Sequence, residues 1–502
     1  MSKFSVRFAL CLLAAAIFVA PAFAAEVMPL TTIAPDQAER VNQTAETYAW
    51  VTSFAPTEAI DYEVQVSAES LAALKADKPT TGPMWLGVGA DADLTFYKGV
   101  KSQAHGDTVF SGNSVIWTAS FRSPGATAVR LRLDDVKLSA RAEIYAFGDH
   151  GHVYGPYTSG DVNDEAGVLW TNTIPGERIS LQVHLPAKTV EKESQALFRV
   201  GQVSHIGDRY AFGVTDPSQE AFCPWNDTCI TNKNCASIPS GVAPAEDGVA
   251  YLLYNIGSST FLCSGGLLND TTSSGTPFLL TANHCFDTSA SAASLEAYFQ
   301  WDVGCGSSCG SQFNPPGSVP VVNGSTLLAT SSTTDFTLVQ LNSAAPAGST
   351  FLGWTTTPVA NSGGTNLYRI SHPSGSPQAY SEHSVNTTAG TCGTLPRGNF
   401  IYSDATLGDT EGGSSGSPVV NSSAQVVGQL FGACGASPSI NCDNDDRTVD
   451  GAFAVTYNSI SGFLTGSGGG GPTCSPRGTS CSTNSDCCSN RCRGWWIFKT
   501  CR

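Results

Sequence analysis

The sequence of 502 residues has few charged side chains, and acidic residues outnumber basic ones. Charged residues make up only 14% of the chain, and the formal net charge is −16. A chain this acidic lacks the basic surface that nucleic-acid binding requires, so no nucleic-acid partner is expected. Low charge together with abundant glycine is typical of an extracellular, loop-rich β protein rather than a cytosolic helical one.

Long apolar runs are absent beyond the first two dozen residues. The stretch over residues 8–20 is too short and too close to the start to form a spanning helix. Lys3 and Arg7 flank its N-terminal side, and Ala22-Phe23-Ala24 completes an A-x-A cleavage site. Residues 1–24 are therefore predicted to be a signal peptide, and the rest of the chain to be secreted.

Cysteine is missing from residues 25 to about 212 and frequent after them, which indicates a domain boundary near residue 212. Cys11 lies in the predicted signal peptide, and an even number of cysteines remains. In an oxidising compartment these predict disulfides. No two C-x-x-C motifs stand at zinc-site spacing, so neither a metal nor another cofactor is expected.

The cysteine-free region alternates apolar and polar residues in several short runs. They cover residues 115–121, 128–133, 142–147 and 179–185, with turn residues between them. Alternation of period two predicts strands, and a region of this length predicts a β-sandwich over residues 25–212. By itself this region could be a carbohydrate- or protein-binding module.

Residues 213–465 contain many short strand-like runs separated by Gly, Pro, Asn and Ser, which predicts a sandwich or barrel. Residues 466–473 form a glycine-rich linker. Residues 474–502 are too few to fold without covalent links, so three disulfides are predicted there, with the pairing left open. The cysteines concerned are Cys474, Cys481, Cys487, Cys488, Cys492 and Cys501.

Three segments carry residues suited to acyl transfer. His284 ends the apolar run L-L-T-A-N-H-C, Asp335 begins the strand-like T-D-F-T-L-V-Q-L, and Ser415 is central in G-G-S-S-G-S-P. A serine hydroxyl attacks a carbonyl only where a tight turn exposes it beside backbone N–H groups, and glycine permits such a turn. Each segment alone is weak, because turn serines, core histidines and strand-capping aspartates are common. Together they stand in the order His, Asp, Ser.

On L-T-A-N-H-C, T-D-F-T-L and G-S-S-G-S-P, residues 215–465 resemble trypsin-fold serine endopeptidases, and in particular the secreted bacterial lysyl endopeptidases. Residues 25–212 resemble, more weakly, the long pro-regions of that family. The resemblance implies two six-stranded antiparallel barrels with a triad in the cleft between them. It also implies that residues 25–212 are a removable pro-region that assists folding and covers the active site.

The resemblance assigns a role to each residue. Ser415 would be the nucleophile, His284 the general base and Asp335 the group that orients the imidazole, with the N–H groups of Gly413 and Ser415 as the oxyanion hole. The substrate would be a polypeptide, added as a strand to residues 430–432. Asp409, six residues before the nucleophile, and Asp450 would line the S1 pocket and select Lys or Arg.

One position departs from the trypsin pattern. The residue before the nucleophile is usually an aspartate that pairs with a new N-terminal ammonium, but here it is Ser414. A serine cannot form that ion pair. Removal of a covering pro-region is therefore the expected route of activation.

Disulfides are expected at named cysteines. Cys263 and Cys285 would link the strand before the histidine to the histidine loop, and Cys223, Cys229, Cys305 and Cys442 are further candidates. The spacing of the last six cysteines resembles an inhibitor cystine knot, or knottin. That resemblance implies the pairs Cys474–Cys488, Cys481–Cys492 and Cys487–Cys501.

Other readings of two features stay open. The basic, aromatic tail, residues 474–502, could anchor the protein to a polysaccharide or an anionic surface, or could simply protect the C-terminus. The protein is expected to be a monomer. The whole chain could instead be a secreted adhesin or polysaccharide-binding protein on an inert protease fold. Residues 443–446 are acidic but lack the spacing of a calcium loop, so a solvated loop is expected there.

Overall fold

A computed structural model gives the fold of most of the chain. The residues it describes are 25–32, 45–56, 61–77, 82–97, 106–162, 167–186, 196–208, 228–306, 319–435, 442, 446–466, 492–495 and 498–501. Within them the protein is mainly β-structure with few helices. No helix among these residues is long and apolar enough to cross a membrane.

Residues 25–208, here called the N-terminal unit, begin with short strands and two helices. These are β1 (Val27–Met28), β2 (Thr31–Thr32), α1 (Ala45–Thr52), β3 (Asp61–Glu63) and α2 (Ala68–Ala76). Longer strands follow: β4 (Met84–Tyr97), β5 (Asp107–Ser111), β6 (Ser114–Arg122), β7 (Ala128–Leu138), β8 (Glu143–Phe147), β9 (Val153–Tyr157), β10 (Leu169–Trp170), β11 (Ile174–Pro175), β12 (Arg178–Pro186) and β13 (Ala196–Ile206).

Two sheets of the N-terminal unit share one apolar core. One sheet has the order β3-β6-β12-β8-β9, with β5 on β6, and the other contains β10-β7-β13-β4. The alternating side chains predicted from the sequence meet between them, including Phe121 and Leu181 from one sheet and Leu131 and Phe198 from the other. Burial of one face of each sheet follows directly from the period-two pattern.

The second part of the chain supplies two sets of strands. The first set is β14 (Thr231–Asn232), β15 (Val249–Ile256), β16 (Ser259–Leu268), β17 (Phe278–Ala282), α3 (Ser289–Ala293), β18 (Glu296–Phe299), β19 (Val321–Asn323), β20 (Ser325–Ser331), β21 (Phe336–Leu341), β22 (Thr350–Phe351) and β23 (Gly353–Thr355). The second is β24 (Asn366–Ser371), β25 (Ala379–Val385), β26 (Phe400–Leu407), β27 (Pro418–Val420), β28 (Gln425–Cys434), β29 (Arg447–Ala452) and α4 (Phe453–Leu464).

Most strands of each set close into a barrel, whereas β14 and β23 of the first set pair with β25 and β28 of the second. In the first, β17 pairs with β16 and β21, β20 pairs with β21, and β15 leads through β18 to β19, which runs into β20 at Gly324. In the second, β27, β24, β25, β26, β29 and β28 form a ring that β28–β29 pairing completes. Helix α4 packs through Tyr457 against Trp354 of β23, a strand that pairs with β28 of the second barrel.

The N-terminal unit is joined to the barrels by strand pairing. β4 extends the first barrel at β16, β1 pairs with β23, and β2 pairs with β22. At the same interface Arg130 and Glu296 form a fully buried ion pair, with Arg130 Nε 3.6 Å from Glu296 Oε2. Arg130 comes from the N-terminal unit and Glu296 from the first barrel.

Four disulfides lie among the described residues, and they partly correct the sequence-based candidates. Cys263–Cys285 is present as expected. Cys229 bonds to Cys442, and Cys305 bonds to Cys235, which was not among the candidates. The fourth, Cys392–Cys434, was also missed. Spacing alone does not show which of several closely spaced cysteines folds opposite a distant one.

Several predictions fall outside the described residues. These are the signal peptide, the boundary near residue 212, Cys223, the acidic loop 443–445, the linker 467–473 and most of the tail. In the tail only the hairpin of β30 (Cys492–Trp495) and β31 (Phe498–Cys501) is described. The knottin pairing and the binding of the tail to a surface therefore stay predictions.

Candidate active site

His284 and Asp335 are brought together by two adjacent strands of the first barrel. β17 ends at Ala282, which pairs with Phe336 at the start of β21, so the residues just beyond each strand are neighbours. His284 Nδ1 lies 2.7 Å from Asp335 Oδ2, and the backbone N–H of His284 donates to Asp335 Oδ1 at 2.9 Å. Both carboxylate oxygens of Asp335 thus accept hydrogen bonds from His284. With Nδ1 donating to the carboxylate, the neutral ring presents Nε2 as an acceptor.

The aspartate is fixed from the second barrel as well. Its side chain is nearly buried, and its backbone has a positive φ of 55°. Gln429 Nε2 donates to the carbonyl oxygens of Thr334 at 2.6 Å and of Asp335 at 3.3 Å. Because Gln429 lies on β28, this contact links the aspartate turn directly to the second barrel. Sequence reasoning did not find Gln429, since an inward-facing glutamine in a strand has no distinctive pattern.

Ser415 lies in the turn that leads into β27. Gly413 and Gly416 in this turn have φ of 97° and 79°, which favour glycine. The carbonyl of Ser415 accepts from Ser264 N at 2.8 Å, and Ser264 Oγ donates to Gly413 O at 2.9 Å. Ser264 lies on β16, so the serine turn of the second barrel is tied to the first. The serine turn therefore lies where the second barrel contacts the first, which is the barrel that carries His284 and Asp335.

One predicted contact is not formed in this structure. Nε2 of His284, the atom expected to accept from the Ser415 hydroxyl, is buried and has no hydrogen-bond partner among the described residues. Catalytic hydrogen bonds often shorten only when substrate binds. The hydrogen bonds between His284 and Asp335 are thus formed, while the hydrogen bond from the Ser415 hydroxyl to His284 is not.

Ser414 stands where the trypsin pattern has an aspartate, and it forms hydrogen bonds without carrying a charge. Its side chain is fully buried, its hydroxyl lies 3.1 Å from Ser371 Oγ, and Glu411 N donates to it at 3.4 Å. A serine held in this way supports the turn without an ion pair. Activation by removal of a covering pro-region, which is inferred from Ser414, stays a prediction.

The two carboxylates predicted for the S1 pocket have different surroundings. Asp409 is half-buried, and its Oδ1 accepts from Thr410 N at 2.7 Å. Asp450 is fully buried, and its Oδ1 lies 2.5 Å from Arg369 Nη2. Burial raises the pKa of Asp450, against the opposing effect of the Arg369 guanidinium. The charge of Asp450 is already matched inside the barrel, which the sequence did not indicate.

Arg369 is the residue that sequence reasoning missed here. It lies on β24, is fully buried, and also donates to the carbonyl and hydroxyl oxygens of Ser417 at 3.0 Å each. Ser417 follows the nucleophile candidate by two residues. Arg369, which is paired with Asp450, therefore holds the serine turn through its hydrogen bonds to Ser417. A single inward-facing arginine in the run N-L-Y-R-I-S is the only signal in the sequence.

Comparison with known proteins gives matches along both parts of the chain. The family model described as "Lysyl endopeptidase, C-terminal domain" matches residues 225–448, and "Lysyl endopeptidase N-terminal domain" matches residues 65–207. A lysyl endopeptidase from Pseudomonas aeruginosa is 28% identical over 420 residues, which cover 78% of this chain and 84% of that protein. The chain is therefore similar to lysyl endopeptidases in its N-terminal unit and in its barrels.

Two solved proteases show weak similarity to this chain. The active form of the Rv3671c protease from M. tuberculosis has 15% identity and a TM-score of 0.31, covering 49% of this chain and 92% of its own. A serine endoprotease from Yersinia pestis has 15% identity and a TM-score of 0.32, covering 45% of this chain and 65% of its own.

Proposed function

We propose that the protein is a secreted serine endopeptidase that acts through His284, Asp335 and Ser415. The observation that carries this proposal is that both Asp335 oxygens accept hydrogen bonds from His284, on the barrel to which the Ser415 turn is tied through Ser264. Similarity to lysyl endopeptidases over most of the chain supports it.

Each group has a defined chemical task in this proposal. His284 Nε2 takes the proton from Ser415 as the hydroxyl attacks the scissile carbonyl, and later gives it to the leaving amine. Asp335 keeps Nδ1 protonated and stabilises the imidazolium that forms. The N–H groups of Gly413 and Ser415 bind the developing oxyanion, and water then hydrolyses the acyl-enzyme.

We propose further that the enzyme cleaves after Lys or Arg, with Asp409 as the main carboxylate of the S1 pocket. Asp409 is partly accessible, whereas the carboxylate of Asp450 is neutralised by Arg369. A carboxylate in a narrow pocket binds a basic side chain through a partly desolvated charge pair. The name of the Pseudomonas relative favours Lys, and the charges here suit both residues.

A panel of fluorogenic peptides with Lys, Arg, Glu or Phe at P1 tests this proposal on the processed protein. Asp409→Asn should lower kcat/KM for lysyl peptides at least about tenfold, roughly 1.4 kcal/mol. Asp404→Asn, which removes a half-buried carboxylate on the neighbouring strand, is the matched control. Preference for Glu or Phe in the wild type, or equal activity of both variants, would refute the basic pocket.

Maturation is part of the same proposal. We propose that the N-terminal unit is removed between Lys192 and Cys223, an interval that contains Arg199 and Arg209 but no further lysine. N-terminal sequencing of the secreted protein, with and without Ser415→Ala, tests this. A start near residue 210 that is lost in the variant indicates self-processing after Arg. An active protein that begins at Ala25 contradicts removal altogether.

A further inference from the structure

The segment before β4 reaches the serine turn. The carbonyl oxygen of Gly82 accepts a hydrogen bond from the backbone N–H of Gly413 at 3.3 Å. Gly413 N–H is one of the two groups assigned to the oxyanion hole. An oxygen of the N-terminal unit thus lies against the donor that a substrate carbonyl would use.

The residues that follow Gly82 pair with the first barrel. Met84 lies opposite Leu262 and Trp85 opposite Phe261, in an antiparallel ladder that continues along β16. Leu262 directly precedes Cys263, the cysteine bonded to the histidine loop. β4 therefore approaches the catalytic cleft as a strand added to the edge of a barrel, one of the common ways in which proteins bind peptides.

The direction of the segment identifies the side of the cleft that it fills. In acyl transfer the carbonyl in the oxyanion hole belongs to P1, and the residues after it belong to the leaving group. On that basis Gly82 stands at P1, Pro83 at P1′ and Met84 at P2′. In the described residues β28 pairs only with β23, β27 and β29, so the edge predicted to bind the acyl side of a substrate is not covered by a strand of the N-terminal unit.

Met84 lies in an apolar cluster to which the first barrel contributes most residues, and Leu86, Ala128 and Ile206 of the N-terminal unit complete it. Only 1% of its surface is exposed, and it belongs to a cluster with Tyr251, Leu262 and Trp301, each also nearly or fully buried. The pocket would accept an unbranched or branched aliphatic side chain and would disfavour a charged one, because burying a charge among apolar side chains is costly.

Gly82 and Pro83 are poor residues for cleavage. Gly82 has no side chain to enter an S1 pocket, and its φ of 87° differs from that of an extended substrate. The nitrogen of Pro83 belongs to a tertiary amide with a ring that fixes the backbone. The position is thus occupied without presenting a favourable peptide bond.

We propose that Gly82–Pro83–Met84 is a built-in occupant of the leaving-group side of the active site, and that the pocket under Met84 is an S2′ subsite for bulky apolar residues. This inference rests on the proposed function and adds to it in two ways. It makes displacement of β4 a condition for activity, and it predicts that substrates are selected two residues beyond the cleaved bond.

Peptide binding to the full-length Ser415→Ala protein tests the occupant, because this variant should keep the N-terminal unit in place. The probe is a fluorescent peptide with Lys at P1 and Ala-Leu-Ala after it. Met84→Glu should bind it at least about tenfold more tightly than the parent, whereas Met84→Leu, the matched control, should bind it like the parent. A mass spectrum and a thermal unfolding curve confirm that each protein is intact and folded.

Gly82→Ala is a second variant that leaves the pocket untouched. A Cβ at this position would meet no atom within 4 Å, but the positive φ disfavours alanine, so the carbonyl should leave Gly413 without a change in the core. Tighter binding here also supports the occupant. Equal binding by all four proteins, or no binding by any when the processed wild type cleaves the peptide, would overturn it.

The S2′ subsite is tested on the processed protein with peptides that differ only at P2′. Leu at P2′ should give a kcat/KM at least about tenfold above Glu, because only Leu can be buried in the pocket. The same exchange at P3′, which points to the opposite face of a strand, should change it little. Cleavage without preference at P2′ refutes this inference alone, whereas no cleavage of any peptide refutes the proposed function.

Discussion

The N-terminal unit and the barrels are both β-structure, but they are held together by different means. Among the described residues the barrels contain four disulfides. The N-terminal unit has no cysteine at all after the predicted signal peptide. Its sheets rely on one apolar core, and its attachment to the barrels relies on strand pairing and polar contacts. A region without disulfides to the rest of the chain can dissociate once one peptide bond is cleaved, while the disulfide-bonded region stays folded.

The interface between them contains a buried group of polar contacts around Glu296. Glu296 of the first barrel accepts from Asn172 Nδ2 and Thr173 N at 2.9 Å each and lies beside Arg130, so three partners belong to the N-terminal unit. Buried ion pairs contribute little net stability, yet losing one partner is costly. Under the proposed removal of the whole unit, Glu296 would lose all three partners together and would be exposed to water. The contacts that fix the position of the unit would then not prevent its release.

The largest effect is expected at the aspartate of the barrels. Asp335→Asn should leave the fold intact but lower kcat of the processed protein about 10⁴-fold, because an amide cannot hold the imidazole in the required tautomer. Steady-state kinetics with a lysyl substrate measure this. The conservative exchange Asp404→Asn, away from the site, should leave kcat within a factor of about two, since surface changes have small effects. A normal kcat in Asp335→Asn would contradict the assigned role.

The comparison of the two regions is tested next at Glu296. In the full-length protein carrying Ser415→Ala, Glu296→Ala should lower the free energy of unfolding by about 3–5 kcal/mol, because Arg130 is left buried without its partner. In the processed protein, protected by a sulfonyl fluoride, the same change should cost less than about 0.5 kcal/mol. Urea unfolding gives both values. Equal costs in the two forms would mean that Glu296 does not serve the interface.

A smaller effect is expected on acidification, where the two regions behave alike. Burial lowers the pKa of His372 in the second barrel to about 4, and that of His184 in the N-terminal unit to about 4. Each ring is neutral in the folded protein. Its protonation therefore does not lower the free energy of unfolding at pH values above its ordinary pKa of 6.5. That stability falls as the pH drops from 6.5 towards 4, since the unfolded chain binds the proton first.

Substituting each histidine isolates its share of that pH dependence. In the full-length Ser415→Ala protein, His372→Phe and His184→Gln should each flatten the fall in the free energy of unfolding between pH 6.5 and 4, by similar amounts because the two pKa values are lowered alike. His150→Gln, at an exposed histidine, is the control. Parallel pH profiles for His372→Phe and the parent would contradict a buried neutral ring.

Much of the arrangement could be predicted from patterns in the sequence. Period-two alternation placed strands in both regions, and the order of His284, Asp335 and Ser415 located the residues that the two barrels bring together. Features that depend on contacts between distant segments could not be found in this way. Arg369 under the serine turn, Cys235 opposite Cys305 and the Gly82 carbonyl at Gly413 are set by which strands become neighbours, and no local spacing encodes that.

The central claim is that Ser415 is a nucleophile activated by His284. The most direct measurement is covalent labelling of the processed protein by a fluorophosphonate, followed by peptide mapping and by kinetics of Ser415→Ala and His284→Ala. We predict a single label on Ser415, no labelling of Ser415→Ala, and a fall in kcat of about 10⁶-fold in either variant. Near-normal turnover in Ser415→Ala, or a label on another serine, would contradict the account.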